Sequence, residues 1–149
     1  MKSSPAFTII ELLITFAILG VILIPAYSNY IRSRANQDLQ GSAEELANIL
    51  RLAHVFSREL RDEVEWGVRK STLSETSYEF VKNQAVPVVD KTYALQRDVS
   101  FSPEFSQIWF KENDGFTGVE TVIILQNKYG NRFQITVLVS GAVEVKALQ

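Results

Sequence analysis

The chain has 149 residues, enough for one domain with a real core and too few for two comfortable ones. Its 17 acidic and 15 basic residues leave it near neutral, without the basic tail or stripe that neutralises many phosphates, so nucleic acid is not an expected partner. Cysteine is absent and His54 is the single histidine, which excludes a disulfide framework and a cysteine nucleophile, leaves most zinc sites without ligands, and makes any Ser-His-Asp arrangement hang on one residue.

Residues 7–26 read FTIIELLITFAILGVILIPA, an almost unbroken apolar run. As a helix rising about 1.5 Å per residue it is roughly 30 Å long, the thickness of bilayer hydrocarbon. Lys2, in the polar segment ahead of the run, favours keeping Met1 on the cytoplasmic side and exporting the chain beyond the span. One residue is out of place. A lone carboxylate such as Glu11 costs roughly 3 kcal/mol deep in hydrocarbon, so its presence asks for a partner. The plain alternative is an acid near the interface that snorkels or stays protonated.

The neighbours of Glu11 narrow this choice. Ala6-Phe7-Thr8-Ile9-Ile10-Glu11-Leu12-Leu13 resembles the cleavage motif of the type IV prepilin and type II secretion pseudopilin superfamily. The resemblance continues through Ala17, Ile18, Leu19 and Gly20 to Pro25, Ala26, Tyr27 and Tyr30. It implies a leader over residues 1–6, removed by a prepilin peptidase between Ala6 and Phe7, and an often N-methylated Phe7 as the new N-terminus. It also implies that Glu11, then the fifth residue, pairs with the amine of a neighbouring subunit. An amine with an ordinary pKa of about 7.7 to 8.0 is largely protonated at neutral pH, and a desolvated pair is far cheaper than either charge alone. Two residues depart from the family pattern. Ala6 stands where glycine is strongly preferred, and Pro25 follows Gly20 more closely than in familiar pilins, which displaces the melted or kinked helical segment these two residues imply. An ordinary secretory signal, with Ala26-Tyr27-Ser28 as its small-x-small site, has a core of roughly 7 to 15 residues, shorter than this run, and does not account for the glutamate. A simple one-pass anchor accounts for the length but not for FTIIELL.

After Tyr30 the composition turns polar, and the helix either continues or frays over residues 33–40. Leu39, Ala43, Leu46, Leu50, Ala53, Leu60 and Val64 then recur at three- and four-residue steps, interrupted at Ser57, and predict one buried stripe on an amphipathic helix. Arg58 and Asp62 are placed as an i,i+4 pair on its solvated side, and His54 beside the stripe reads as a packed structural histidine. Beyond Val64 the period changes to two. Alternation at Val64-Trp66-Val68, Tyr78-Phe80, Tyr93-Leu95 and Val99-Phe101, followed by stronger runs at 108–111, 119–126, 133–139 and 142–146, predicts strands. Turn residues Asn113-Asp114-Gly115, Lys128-Tyr129-Gly130-Asn131 and Ser140-Gly141 separate the last four and make the final three an antiparallel meander. The expected fold is α+β: a long N-terminal transmembrane and amphipathic helix followed by an antiparallel sheet domain, with residues 7–30 as the assembly helix and 31–149 as the exported domain.

This order resembles the minor GspH and FimT branch of the superfamily, on the strings Leu46-Ala47-Asn48-Ile49-Leu50-Arg51-Leu52-Ala53, Phe101-Ser102-Pro103, and Ile135-Thr136-Val137 ending in Ser140-Gly141. Some members of that branch bind DNA through basic residues near the C-terminus; Ala142-Val143-Glu144-Val145-Lys146 here does not match them. Glu112, Asn113 and Asp114 could offer oxygen ligands to calcium, but three hydrophilic residues at a hairpin usually make a turn, so no metal and no cofactor is expected. The expectation is a structural subunit of a type IV pilus or secretion pseudopilus, with no catalytic residues. It sits in the bacterial inner membrane as a single-pass protein with its domain in the periplasm or outside the cell. Its implied partners are a prepilin peptidase, other pilin or pseudopilin subunits and an inner-membrane assembly platform. A pilus-associated adhesin or DNA-uptake minor pilin is the alternative.

Overall fold

Among the described residues, the apolar side chains ahead of Ala35 are mostly exposed, whereas many of those from Ala35 onward are buried. The computed structural model describes residues 8–103 and 105–148. It divides into two units, Met1–Arg34 and Ala35–Gln149. Helix α1, Ile9–Arg58, supplies nearly all of the described part of the first unit and the opening of the second. In the first unit the helix continues through Gly20 and Pro25, so no melted segment is present there; proline's missing N–H still leaves the Val21 carbonyl without its usual donor.

In the second unit the predicted stripe is the core. Leu39, Ala43, Leu46, Leu50 and Ala53 are all fully buried, as a 3.6-residue period requires of one face. The stripe ends sooner than the spacing suggests. α1 stops at Arg58, Leu60 adopts a left-handed conformation with φ 54° and is exposed, and a 3-10 turn follows at Arg61–Glu63. Leu60 and Val64 are therefore not helical. The reason lies at Ser57, where the Trp66 amide donates to Oγ (2.8 Å) and the Asn113 amide donates to the carbonyl (3.2 Å). The expected Arg58–Asp62 pair is replaced: with the helix ended, Asp62 accepts from Lys82 Nζ at 2.7 Å.

The strands are β1 (Glu65–Lys70), β2 (Ser77–Asn83), β3 (Val88–Ala94), β4 (Val99–Phe101), β5 (Gln107–Phe110), β6 (Thr121–Asn127), β7 (Arg132–Val137) and β8 (Val143–Leu148). Every predicted strand is present, but they form two antiparallel sheets instead of one, in the orders β3-β2-β1-β5 and β4-β6-β7-β8. The last three make the expected meander, with Ile123 opposite Ile135 and Ile135 opposite Val145. The split arises because β4 pairs with β6 while β5 returns to β1, with Trp66 opposite Phe110.

Both sheets and the α1 stripe contribute to one hydrophobic core. In the first sheet Phe56 of α1 joins Trp66 and Phe80 ring on ring, Trp66 stacking on Phe80 with centroids 4.8 Å apart. Glu79, only 3 % exposed, is held by Arg69 Nε (2.7 Å) and Ser71 Oγ (2.8 Å), which satisfies a charge that burial alone would penalise. In the second sheet Ile123, Leu125, Ile135 and Val137 are fully buried while their neighbours along each strand are not. β3, at the edge of the first sheet, is exposed along its length except at Tyr93, and a register shift between Phe80 and Val81 disturbs its pairing.

Candidate functional site at the start of the helix

Thr8 and Glu11 stand three residues apart, and each satisfies the other's backbone. The Thr8 amide donates to Glu11 Oε2 (3.2 Å), and the Glu11 amide donates to Thr8 Oγ1 (3.3 Å). Thr8 Oγ1 also donates to Oε2 (3.2 Å). This is a capping box: the first turn of a helix has amides with no carbonyl partner, and threonine followed by glutamate at the third helical position satisfies two of them reciprocally. The Leu12 amide reaches the Thr8 carbonyl at 3.2 Å, so the helical bonding starts at Thr8. The spacing Thr8-Ile9-Ile10-Glu11 was the signal available in the sequence for this cap, overshadowed by the more specific cleavage motif. Glu11 is thus a helix-starting residue as well as the one acid of the apolar run.

Oε1 of Glu11 accepts no hydrogen bond among the described residues. The cap therefore engages one carboxylate oxygen and leaves the second for another donor. Ala6 and Phe7, the expected cleavage and methylation positions, lie outside the described residues. Gly20 has open space where a Cβ would be, and Gly20 and Pro25 both lie in continuous helix.

The surface around this cap is apolar and uncovered. Ile9 is 79 % exposed, Val21 74 % and Ile24 74 %, and none of the most apolar stretch of α1, with a mean hydropathy of 2.6, is buried among the described residues. Length and composition let this stretch cross a membrane, and its exposed face is equally able to pack against other helices.

The remaining candidates have structural surroundings. His54 packs between two turns: a Cβ built on Gly115 or on Gly141 would collide with its ring carbon Cδ2, and both glycines hold left-handed φ (71° and 82°). Burial and the nearby Arg58 guanidinium hold the imidazole below the usual histidine range. Glu112, Asn113 and Asp114 form a turn in which Asp114 Oδ1 accepts from the Phe116 amide (2.8 Å). Among the described residues no three His, Asp or Glu side chains converge as a metal ion would need.

Sequence reasoning missed a polar cluster near the start of the second unit. Asn127, 2 % exposed, donates through Nδ2 to the Ala35 carbonyl (3.4 Å) and Asn36 Oδ1 (2.9 Å). Its own Oδ1 accepts from the Tyr129 and Asn131 amides (3.0 and 3.1 Å), so one side chain closes the β6–β7 turn and ties it to α1.

Comparison with known proteins places these features. Residues 1–27 match the family described as prokaryotic N-terminal methylation motif. The fold is similar to that of the type IV minor pilin FimU of Pseudomonas aeruginosa, at 14 % identity with a TM-score of 0.61, covering 76 % of this chain and 95 % of that one. A second crystal form of FimU gives a TM-score of 0.59 at 14 % identity, covering 74 % and 98 %. The minor pseudopilin EpsH of the Vibrio cholerae type 2 secretion system is similar at 13 % identity with a TM-score of 0.59, covering 74 % and 97 %. Among curated proteins nothing matches. A prokaryotic methylation motif thus stands at the head of an exposed apolar helix, and the chain behind it has a fold similar to that of minor pilins and a minor pseudopilin.

Proposed function

We propose that the chain is a minor pilin or pseudopilin, a structural subunit of a type IV pilus or a type II secretion pseudopilus. The observation that carries this reading is the methylation motif over residues 1–27 running directly into an uncovered apolar helix that holds one carboxylate. In this reading a peptidase cuts between Ala6 and Phe7 and Phe7 is N-methylated. The domain is exported, and the helix first anchors the subunit in the inner membrane and then packs against the helices of other subunits. Glu11 keeps its cap through Oε2 and offers Oε1 to the Phe7 amine of a neighbour, which sets the register between subunits. Gly20 and Pro25 mark where the helix yields on assembly, because the Val21 carbonyl there lacks its donor. The role is mechanical and not catalytic.

N-terminal sequencing or intact mass of the membrane-extracted protein tests the reading. Mature protein beginning at Phe7 is expected; a chain that begins at Met1, or after Ser28, refutes it.

A further inference from the structure

We propose that the outer edge of β8 takes up an extended segment of a different polypeptide as a fifth strand of the second sheet. The inference rests on the filament-subunit reading at one point, the exclusion of a second copy of this chain as the strand donor.

Four strands lie at sheet edges, and three of them are short or broken: β4 has three residues, β5 has four, and β3 carries the register shift. β8 pairs with β7 over six residues without a shift. Its register fixes which backbone groups face outward. The Leu138 amide donates to the Ala142 carbonyl, so Ala142 and, by alternation, Glu144, Lys146 and Leu148 turn their groups to β7. Val143, Val145 and Ala147 turn theirs away. Arg51 agrees from the other side, donating to the Val143 carbonyl at 3.1 Å. The outward groups of Val145 and Ala147 have no protein partner among the described residues. The side chains also suit a neighbouring strand. Glu144 and Lys146, both exposed, share one face and leave the other to Val143, Val145 and Ala147, whereas the adjacent Asp90 and Lys91 put a charge on each face of β3.

A row of outward amides and carbonyls at strand spacing is matched by the backbone of an extended chain, which fixes the chemistry of the partner. The β8 edge of a second copy does not meet the requirement. α1 runs antiparallel to β8: Asn36 meets Asn131, beside the residue paired with Leu148, and Arg51 meets Val143. Antiparallel pairing of two β8 edges has its twofold axis normal to the sheet and turns the second copy's α1 end for end, yet copies anchored by that helix in one membrane share its direction. Parallel pairing about an axis along the strands sets outward residues face to face at equal height, where a parallel ladder needs them offset by one.

The free peptide Val-Glu-Val-Lys-Ala-Leu has no helix to reverse and is its own complement: antiparallel to β8, with its second valine opposite Val145, it sets its lysine opposite Glu144 and its glutamate opposite Lys146. Hydrogen exchange of the full-length protein, one copy per detergent micelle, is measured with and without the acetylated, amidated peptide in millimolar excess. The Val143, Val145 and Ala147 amides should exchange several-fold more slowly with the peptide, while Glu144, Lys146 and Leu148, held by β7, should not change. N-methylation of the peptide at its second valine and its alanine, whose amides face the protein, should abolish the effect, and N-methylation at its glutamate and lysine should not. Ala147→Pro, which takes away an outward N–H that β7 does not use, should reduce the protection at Val145 several-fold. The proposal is overturned if the peptide protects none of the three amides or if the two methylated peptides act alike. It is also overturned if the three amides are already slow in the chain alone and quicken on dilution, which makes a second copy the occupant. Intact mass of the same preparation reads the N-terminus. A start at Phe7 without protection overturns the strand addition alone, and protection in a chain starting at Met1 upholds the edge while refuting the filament reading.

Discussion

The Thr8 amide and the Thr8 hydroxyl both donate to the same carboxylate oxygen of Glu11, each at 3.2 Å. Glu11 therefore serves the helix start and, in the proposed assembly, a neighbour's amine, and substitutions can separate the two. Glutamine preserves a capping box but carries no charge. Glu11→Gln should be cut and inserted normally, keep its helix start and fail to enter filaments; Glu11→Ala should lose both functions while inserting at least as well, since the span becomes more apolar. Thr8→Ala should weaken the helix start by about 0.5 to 2 kcal/mol and still assemble. Fractionation with crosslinking to other pilin subunits reads all three, and normal incorporation of Glu11→Gln would remove the charge from the mechanism.

Gly115→Ala should destabilise the domain by about 2 to 4 kcal/mol, combining left-handed strain with overpacking against His54. Adding His54→Ala should recover only part of this, because the φ of 71° and the Arg58 side chain against the same position remain. Thermal or denaturant unfolding of the four variants of this cycle measures the coupling.

His54 should make the fold acid-sensitive. Its folded pKa lies below the ordinary value of about 6.5, through burial first and Arg58 second, so the unfolded chain binds the proton more readily. The stability this contributes is present above the unfolded pKa and is lost as pH falls through the folded pKa. Melting temperatures of wild type and His54→Gln should converge as pH is lowered from 7.5 to 5, and parallel curves would show that His54 does not titrate on unfolding.

Asn127→Ala removes two donors and an acceptor from a buried position, taking the Asn127 Oδ1 acceptor away from the Tyr129 and Asn131 amides. A loss of about 2 to 4 kcal/mol is expected, with those two amides among the first to gain hydrogen exchange. Unchanged exchange there would show that the turn holds without the tie.

Tyr78 shows the opposite case. Its hydroxyl is buried without a hydrogen-bond partner among the described residues, and burial, with Glu45 and Tyr93 adding to it, pushes its pKa far above the usual range. Removing an unpartnered polar group should cost little, so Tyr78→Phe should fall within about 1 kcal/mol of wild type or exceed it in denaturant unfolding.

Much of this architecture was legible in the residues. Ile123 and Leu125, or Leu46 and Leu50, announce their elements because one face of each is buried, and burial imposes its period on the sequence. Glu11 was legible because a charge in an apolar run is costly enough to need a reason. The helix end was not, since Leu60 continues the apolar spacing while the backbone turns left-handed, and what stops the helix is Ser57 meeting Trp66 and Asn113. The division into two sheets depends on β5 pairing with β1, and the Asn127 cluster on Asn36, 91 residues away; neither separation leaves a local pattern.

If the chain is a filament subunit as proposed, the open edge at β3 bears on its life before assembly. Unassembled subunits in a membrane are concentrated in two dimensions and held in a common orientation, conditions under which a bare strand edge readily recruits another. Here the edge is broken by the shift at Phe80 and Val81, carries Asp90 and Lys91 mid-strand, and is preceded by Pro87, which has no N–H to donate. Each of these makes β3 a poor template, so in the proposed role a crowded pool of waiting subunits does not pair through this edge.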